Sequence, residues 1–193
     1  MTQIVFHGKK VHPLDMEAGM ILTSHIRKTL TAFCAAAALL AQVSPASALD
    51  PATGDVVLTV SGDISASNGP GVAQFDLEML KKMDPVTFET TTIWTDGVQT
   101  FTGVELAELL ERLGVSGGTL RASAVNNYAV EIPMSDAVDG GPIIAYLRNG
   151  ETMSLREKGP LWIVYPYDSS VAYQTELIYS RSIWQLDRIE VLP

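Results

Sequence analysis

Residues 158–166 have the sequence KGPLWIVYP, and this stretch decides the fold. Successive side chains of an extended strand point to opposite faces, so Trp162 and Val164 share one face while Ile163 lies on the other. Because both faces are apolar, we predict that this strand is buried and central in its sheet. Pro166 is predicted to end the strand, since proline has no backbone N–H to donate to a sheet.

Shorter patterns on both sides of this stretch predict further strands and two helices. The strands are predicted at 55–62, 86–95, 119–125, 128–132, 142–147, 161–165 and 182–191. Asp76 is predicted to cap a short helix that continues to Lys82. A longer helix is predicted to begin with a capping box of Thr102 and Glu105 and to end at Gly114. Many short strands with one long helix indicate the α+β class, as a single mixed-sheet domain.

The first 48 residues are predicted to lie outside this domain. A basic pair precedes an apolar run at 30–43, and the small-residue pattern PASA follows at 45–48, an order typical of a cleaved secretory signal peptide. We therefore predict an N-terminal extension and signal peptide over 1–48, a ligand-binding domain over 49–193, and a location in the periplasm. A permanent membrane anchor and a lipoprotein modified at Cys34 are the alternatives.

The composition of residues 49–193 excludes several kinds of site. All histidines and the single cysteine precede residue 49, so the usual nucleophile–base pairs and Cys/His zinc sites are excluded. Of the 13 basic and 22 acidic residues of the chain, 9 and 20 lie in this part, which gives a formal charge of −11. So acidic a surface argues against binding to nucleic acid or to anionic membrane. An all-oxygen metal site near Asp136 and Asp139 is an alternative to a solvated acidic turn there.

The aromatic residues are concentrated late in the chain. All three tryptophans and all six tyrosines follow residue 93, and six of these nine residues fall within 162–184. A core built on a late sheet and a pocket for a flat ligand both explain this concentration. Asn126 and Asn127 interrupt two strand-like runs, and a hairpin turn explains them because asparagine tolerates positive φ.

Four stretches carry a resemblance to a known family. They are YAVEIPMSDA at 128–137, NGE at 149–151, KGPLWIVYP at 158–166 and IWQLDRIEV at 183–191. In this order they resemble the molybdopterin-binding domain of the sulfite oxidase type, over roughly residues 86–191. The resemblance implies a mixed-sheet domain of that type with a pterin cofactor. Catalytic members hold molybdenum through a cysteine in the strand before the first stretch, where this chain has ASAV at 122–125.

Longer combinations resemble a cysteine-less branch of the same family. They are NNYAVEIP at 126–133, KGPLWIVYPYD at 158–168 and YSRSIWQL at 179–186. This branch contains periplasmic pterin-binding regulators of cyclic-di-GMP enzymes. The resemblance therefore implies a non-catalytic pterin-binding protein without a metal, whose partner is a membrane-bound signalling receptor with a periplasmic domain. The cofactor is expected to be a pterin, with molybdopterin as the alternative.

This interpretation gives nine candidate ligand-binding residues. They are Trp94, Asn126, Asn127, Tyr128, Tyr165, Tyr167, Asp168, Arg181 and Ser182. Trp94, Tyr165 or Tyr167 would stack on the pterin, and Asp168 would accept hydrogen bonds from its 2-amino and N3 positions. The asparagines and Arg181 would contact the carbonyl and the side-chain hydroxyls, although a surface ion pair is an equal alternative for Arg181.

Two other functions stay open at this point. One is a molybdopterin-dependent oxidoreductase or a subunit of one, in which Ser123 would be the unusual metal ligand. The other is an interaction module that binds neither pterin nor metal.

Overall fold

The computed structural model describes residues 49–193, so the predicted N-terminal extension and signal peptide over 1–48 lie outside the described residues. The strands and α-helices follow in the order β1 (Val56–Gly62), β2 (Val72–Asp76), α1 (Leu77–Lys81), β3 (Pro85–Thr91), β4 (Val98–Glu105), α2 (Leu106–Arg112), β5 (Thr119–Ala124), β6 (Ala129–Pro133), β7 (Ile143–Arg148), β8 (Glu151–Thr152), β9 (Trp162–Val164), α3 (Glu176–Arg181) and β10 (Leu186–Leu192). Short 3-10 turns occur at Met134–Asp136, Leu155–Glu157, Tyr167–Ser169 and Val171–Tyr173. None of the helices within 49–193 is long and apolar enough to cross a membrane.

The strands form two sheets. The first has the order β2-β1-β10-β5-β6, in which β1 and β10 are parallel and the other neighbours are antiparallel. The second has the order β3-β4-β7-β8, and β9 also pairs with β7. A mixed first sheet, an antiparallel second sheet and few, short helices confirm the predicted α+β class.

The two sheets contribute to one hydrophobic core. Leu58 and Ile189 of the first sheet belong to the same buried cluster as Phe101 and Trp162 of the second. Strand β9 is shorter than predicted, but all three of its residues are buried. It lies between β7 and the segment after α3, because the backbone N–H of Ile163 donates to the Ile183 carbonyl at 2.9 Å. The prediction of a buried strand is therefore confirmed, but β9 pairs with a strand, β7, on one side only and is not central in its sheet.

The short helix α1 begins as predicted. One carboxylate oxygen of Asp76 accepts a hydrogen bond from the backbone N–H of Met79 at 2.8 Å, which is the N-cap interaction. The other oxygen accepts from the backbone N–H groups of Thr53 and Gly54, both at 2.8 Å. Asp76 therefore also fastens the start of the domain to this helix.

The predicted start of the longer helix is wrong. Thr102 lies in β4, where it pairs with Thr87, and its hydroxyl bonds the Thr87 hydroxyl at 2.8 Å instead of capping a helix. The helix begins only at Leu106, after Glu105, whose side chain makes no cap hydrogen bond. Gly103 allows β4 to continue past Thr102 in close contact with β7, because a Cβ at this position would collide with the Ile144 backbone of that strand. Sheet packing thus outweighs the local capping pattern.

Candidate functional site

A cavity of about 420 Å³ lies near the end of β5. It is lined by Trp94, Ala124, Asn126, Tyr128, Tyr179, Ser180, Ser182, Ile183, Trp184 and Gln185. The lining comes from the loop between β3 and β4, the turn between β5 and β6, and the end of α3 with the residues after it. Sites for small molecules are typically about 300–1,000 Å³ and combine apolar walls with a few polar groups. The cavity therefore has the size and composition of a small-molecule site.

Trp94 is the centre of the aromatic part of the cavity. Its ring lies edge to face against Trp184 at 5.6 Å, Tyr179 at 5.8 Å, Trp162 at 5.8 Å and Tyr167 at 6.2 Å between centroids. Such pairs contribute about 0.5–1.5 kcal/mol each beyond the burial of their area. The rings therefore hold one another in place, and the aromatic wall is formed before any ligand binds.

Trp184 is supported by a cation as well as by rings. The ammonium of Lys158 lies 4.2 Å from the Trp184 ring centroid and 5.5 Å from that of Trp162. Burial, and then the charge of Arg148, lowers the pKa of Lys158. A cation over an indole face is attracted to the electrons of the ring. Lys158 thus stabilises the position of a cavity-lining ring and is more than a solvated turn residue.

The turn between β5 and β6 places a polar group at the cavity. The side-chain oxygen of Asn126 accepts a hydrogen bond from the backbone N–H of Tyr128 at 3.0 Å. This bond fixes the amide, and its NH₂ group has no partner within residues 49–193. Asn126 is therefore a fixed side chain with a donor to offer to a ligand.

Ser182 is the buried polar residue of the cavity, with 2 % of its surface exposed. Its hydroxyl donates to the Ile178 carbonyl at 2.8 Å and accepts from the Tyr167 hydroxyl at 2.6 Å. The Ile178 carbonyl lies in the last turn of α3, where carbonyl groups lack helical N–H partners. Ser182 therefore ends the helix and lines the cavity at the same time.

The structure brings together four of the nine predicted ligand-binding residues. Trp94, Asn126, Tyr128 and Ser182 line the cavity. The other five, Asn127, Tyr165, Tyr167, Asp168 and Arg181, are not among its lining residues, and each is occupied by the protein itself.

Tyr165 and Arg181 do not fit their predicted roles. Tyr165 is fully buried, and its hydroxyl donates to Asp136 at 2.8 Å. Arg181 binds the same carboxylate with Nη1 at 2.9 and 3.2 Å, in a largely buried ion pair. Burial, and then the Asp136 charge, raises the pKa of Tyr165, which keeps its hydroxyl protonated. The ion-pair interpretation of Arg181 is therefore correct, although the pair is not on the surface.

Tyr167 and Asp168 do not form the predicted polar loop of a ligand site. Tyr167 has 1 % of its surface exposed and packs in the core, so neither ring face is open for stacking. Asp168 accepts hydrogen bonds from the backbone N–H of Thr91 at 2.6 Å and from its hydroxyl at 2.7 Å. These donors lower the pKa of Asp168 and tie the turn to β3. Both of its carboxylate oxygens are therefore used within the fold.

Asn127 lies in the turn between β5 and β6, in agreement with the hairpin turn that the sequence predicted at this position. It has a φ of 68°, which asparagine tolerates, and its backbone N–H closes the turn on the Ala124 carbonyl at 2.8 Å. Its side-chain oxygen accepts from Arg188 at 2.8 Å. Asn127 is therefore a structural link between the turn and β10, and it is not among the residues that line the cavity.

Sequence reasoning missed six of the lining residues. They are Ala124, Tyr179, Ser180, Ile183, Trp184 and Gln185. Tyr179 and Trp184 belonged to the late aromatic concentration, which was the available signal for them. The predicted strand over 182–191 concealed Ile183 and Gln185, because β10 begins only at Leu186 and the preceding residues pass the cavity as irregular chain. Gln185 has a φ of 54°, which is unsuitable for a strand.

The cavity does not fit a molybdenum centre held by a thiolate. At the end of β5 the residue that lines the cavity is Ala124, which offers no ligand atom. Its neighbour Ser123 is not a lining residue, because adjacent side chains of a strand point to opposite faces. None of the ten lining residues within 49–193 is charged, so the cavity also lacks a basic group for a phosphate. The residues fit the ring system of a pterin and not the metal or the phosphate.

Comparison with known proteins identifies a solved structure with a similar fold. The structure of the sulfane dehydrogenase SoxCD from Paracoccus pantotrophus is similar, with a TM-score of 0.54 and 20% sequence identity. The similarity covers 74% of this chain and 39% of that chain, so this protein spans well under half of its length. No match was found among the curated proteins. At this identity the likeness shows the fold alone.

The family model described as oxidoreductase molybdopterin binding domain matches residues 72–174, which is more than half of the chain. The matched range includes β2 to β9 and therefore much of both sheets, together with Trp94 and the turn between β5 and β6. The chain belongs to the oxidoreductase molybdopterin-binding domain family.

Proposed function

We propose that this chain is a non-catalytic pterin-binding protein of the periplasm that relays pterin levels to a membrane signalling partner. The observation that carries the proposal is the aromatic, uncharged cavity, which is lined by Ala124 from the stretch 122–125 in which the family resemblance expects a metal-binding cysteine. Family membership supports a pterin-type ligand, and the alanine argues against the redox chemistry of the catalytic members.

The ring system of a pterin matches the cavity in shape and polarity. It is flat, so it needs aromatic surface for its faces, which Trp94, Tyr179 and Trp184 supply. Its edge carries donors and acceptors, and burying them unpaired costs about 1–3 kcal/mol each. Asn126 and Ser182 offer polar atoms whose positions other hydrogen bonds already fix. A neutral pterin without phosphate is therefore the ligand that these residues support best.

Other observations support the proposed signalling partner and the proposed periplasmic location. The predicted signal peptide supports the periplasm, and a binding protein without catalysis needs a second protein to act on. Tyr128 is 58% exposed and lines the cavity, while Ile93, beside Trp94, is 62% exposed. These apolar side chains near the cavity support a partner that contacts this side of the domain.

The test is to identify what the protein carries. We expect the full chain, expressed in a bacterium and purified from the periplasm, to release a fluorescent pterin on denaturation, with a mass that excludes phosphate and metal. Trp184→Ala should lose this pterin, whereas Val171→Ala, a change at a residue 83% exposed and outside the cavity, should retain it. Stoichiometric molybdenum with a pyranopterin would overturn the proposal in favour of an oxidoreductase. Neither pterin nor metal would favour an interaction module.

A further inference from the structure

The hydrogen bonds around Ser182 have only one consistent direction. A carbonyl oxygen only accepts, so the single hydroxyl proton of Ser182 is used on the Ile178 carbonyl at 2.8 Å. Tyr167 must then be the donor in its 2.6 Å bond to Ser182. Burial raises the pKa of Tyr167, so its hydroxyl keeps the proton that it donates. Any further hydrogen bond to the Ser182 hydroxyl must therefore be one that its oxygen accepts, and Ser182 is one of the residues that line the cavity.

Two other lining residues close to Ser182 in the chain also donate to backbone carbonyl groups. The hydroxyl of Ser180 donates to the Leu177 carbonyl at 2.7 Å. The amide NH₂ of Gln185 donates to the Leu155 carbonyl at 2.8 Å, and its side-chain oxygen has no partner within residues 49–193. Ser180 and Gln185 both line the cavity with Ser182. The hydroxyls of Ser180 and Ser182 can thus only accept from a ligand, and Gln185 keeps its side-chain oxygen together with one amide N–H. Asn126 in the turn between β5 and β6 offers a donor.

We propose that Ser182 is the specificity-determining residue of this cavity and that the segment 180–185 accepts hydrogen bonds from the N–H groups along one edge of the ligand. The proposal rests on the proposed function and names the chemical class of its ligand. A 2-amino-4-oxopteridine carries an amino group and the adjacent ring N3–H as donors, beside a carbonyl that Asn126 is suited to meet. A 2,4-dioxopteridine has a carbonyl in place of that amino group, which sets acceptor against acceptor.

Ser182 matters more than Ser180 because of burial. Ser182 has 2 % of its surface exposed, while Ser180 is exposed. Water can stand between the exposed Ser180 hydroxyl and a mismatched ligand carbonyl. The buried Ser182 hydroxyl, whose proton and one lone pair are already used, would face that carbonyl directly, acceptor against acceptor. Discrimination between the two pteridines should therefore depend chiefly on the buried hydroxyl.

The experiment compares the affinities of pterin and lumazine, the parent compounds of the two classes, in their oxidised and 7,8-dihydro forms. With the full chain, we expect the 2-amino compound to bind at least about ten-fold more tightly than the 2-oxo compound of the same oxidation state. Ser182→Ala should reduce this ratio by about five- to ten-fold. Ser180→Ala, the matched serine change on the same segment, should reduce it by less than about two-fold, and Val171→Ala should leave it unchanged.

The possible failures are distinguishable. Equal or tighter binding of lumazine to the unaltered chain would overturn the specificity inference and leave the pterin-binding function standing. An unchanged ratio in Ser182→Ala would remove that residue as the determinant. Binding of neither compound would overturn the proposed function and this inference with it. Partial unfolding of the Ser182 variant does not obscure the result, because it weakens the apparent affinity for both compounds by the same factor and leaves their ratio unchanged. The preference of the unaltered chain for pterin over lumazine is a test that needs no variant.

Discussion

The turn at 167–170 and the segment at 180–185 differ in what their polar groups are used for. Both contain serines, and both lie next to aromatic rings. In the turn, the two oxygens of Asp168 are bonded to Thr91 of β3, which lies 77 residues away in the chain. In the segment, Ser180, Ser182 and Gln185 each donate to a backbone carbonyl and keep an acceptor, and all three residues line the cavity. A polar side chain therefore indicates a binding site only after its internal bonds are counted.

The largest effect should come from Trp94, because its ring contacts both regions, Tyr167 in the turn and Trp184 in the segment. We expect Trp94→Ala to lower the free energy of unfolding by about 3 kcal/mol. This value is at the lower end of the range for tryptophan-to-alanine changes in protein cores, because the Trp94 ring is only half-buried. Pterin binding should be lost. Urea denaturation and a fluorescence titration measure the two effects.

The control for this change is Trp94→Phe, which keeps an aromatic ring at the centre of the cluster and should recover more than half of the lost stability. A loss below about 1 kcal/mol in the alanine variant would mean that the two regions are stable independently and that Trp94 does not join them.

A smaller effect of a different kind is expected at Asp168. Asp168→Ala should lower the free energy of unfolding by about 1 kcal/mol, because it removes two charge-assisted hydrogen bonds at an exposed position. Pterin affinity should change by less than about two-fold, since the carboxylate does not line the cavity. Chemical denaturation and a pterin titration on the same preparation check both statements.

Thr91→Val is the matched change on the other side of this contact, because it removes the hydroxyl donor and keeps the backbone N–H. The double variant should cost less than the sum of the two single changes, as expected for groups in contact. A ten-fold loss of pterin affinity in Asp168→Ala at unchanged stability would instead place the turn in the binding site.

Much of the fold was predictable, because local patterns determine it. The buried strand around Trp162 follows from apolar residues on both faces, and the Asp76 cap follows from a polar residue before a helical pattern. The start of the longer helix was not predictable from its local pattern. Thr102 and Glu105 have the spacing of a capping box, but the sheet partners of Thr102 are far away in the chain.

The site was predictable only in part, for a similar reason. The concentration of aromatic residues located the region, and the family resemblance supplied Trp94, Asn126, Tyr128 and Ser182. Nothing in the local sequence shows that Asp168 is bonded to Thr91, because that contact joins distant parts of the chain. Polar residues whose partners are remote therefore look free in the sequence when the fold has already used them.

The smallest effect, and the one that tests the turn most directly, is a dependence on pH. The hydrogen bonds from Thr91 hold the pKa of Asp168 below its ordinary value of 3.8. The stability that Asp168 contributes is therefore fully present above that value and is lost as the pH falls through the lower pKa of the folded state. The difference in unfolding free energy between the unaltered chain and Asp168→Asn should be constant from pH 7 to about 5 and should shrink toward about pH 2.5.

Urea denaturation of both proteins over this pH range measures the difference, and subtraction of one series from the other cancels the titration of the remaining carboxylates. In a Thr91→Val background the dependence should be weaker, because the Thr91 hydroxyl, one of the groups that lower the pKa of Asp168, is gone. A difference that stays constant down to about pH 2.5 would show that the carboxylate gains nothing from Thr91. The turn would then resemble the segment at 180–185 in leaving its acceptors free, and Asp168 would again be a candidate for binding the ligand.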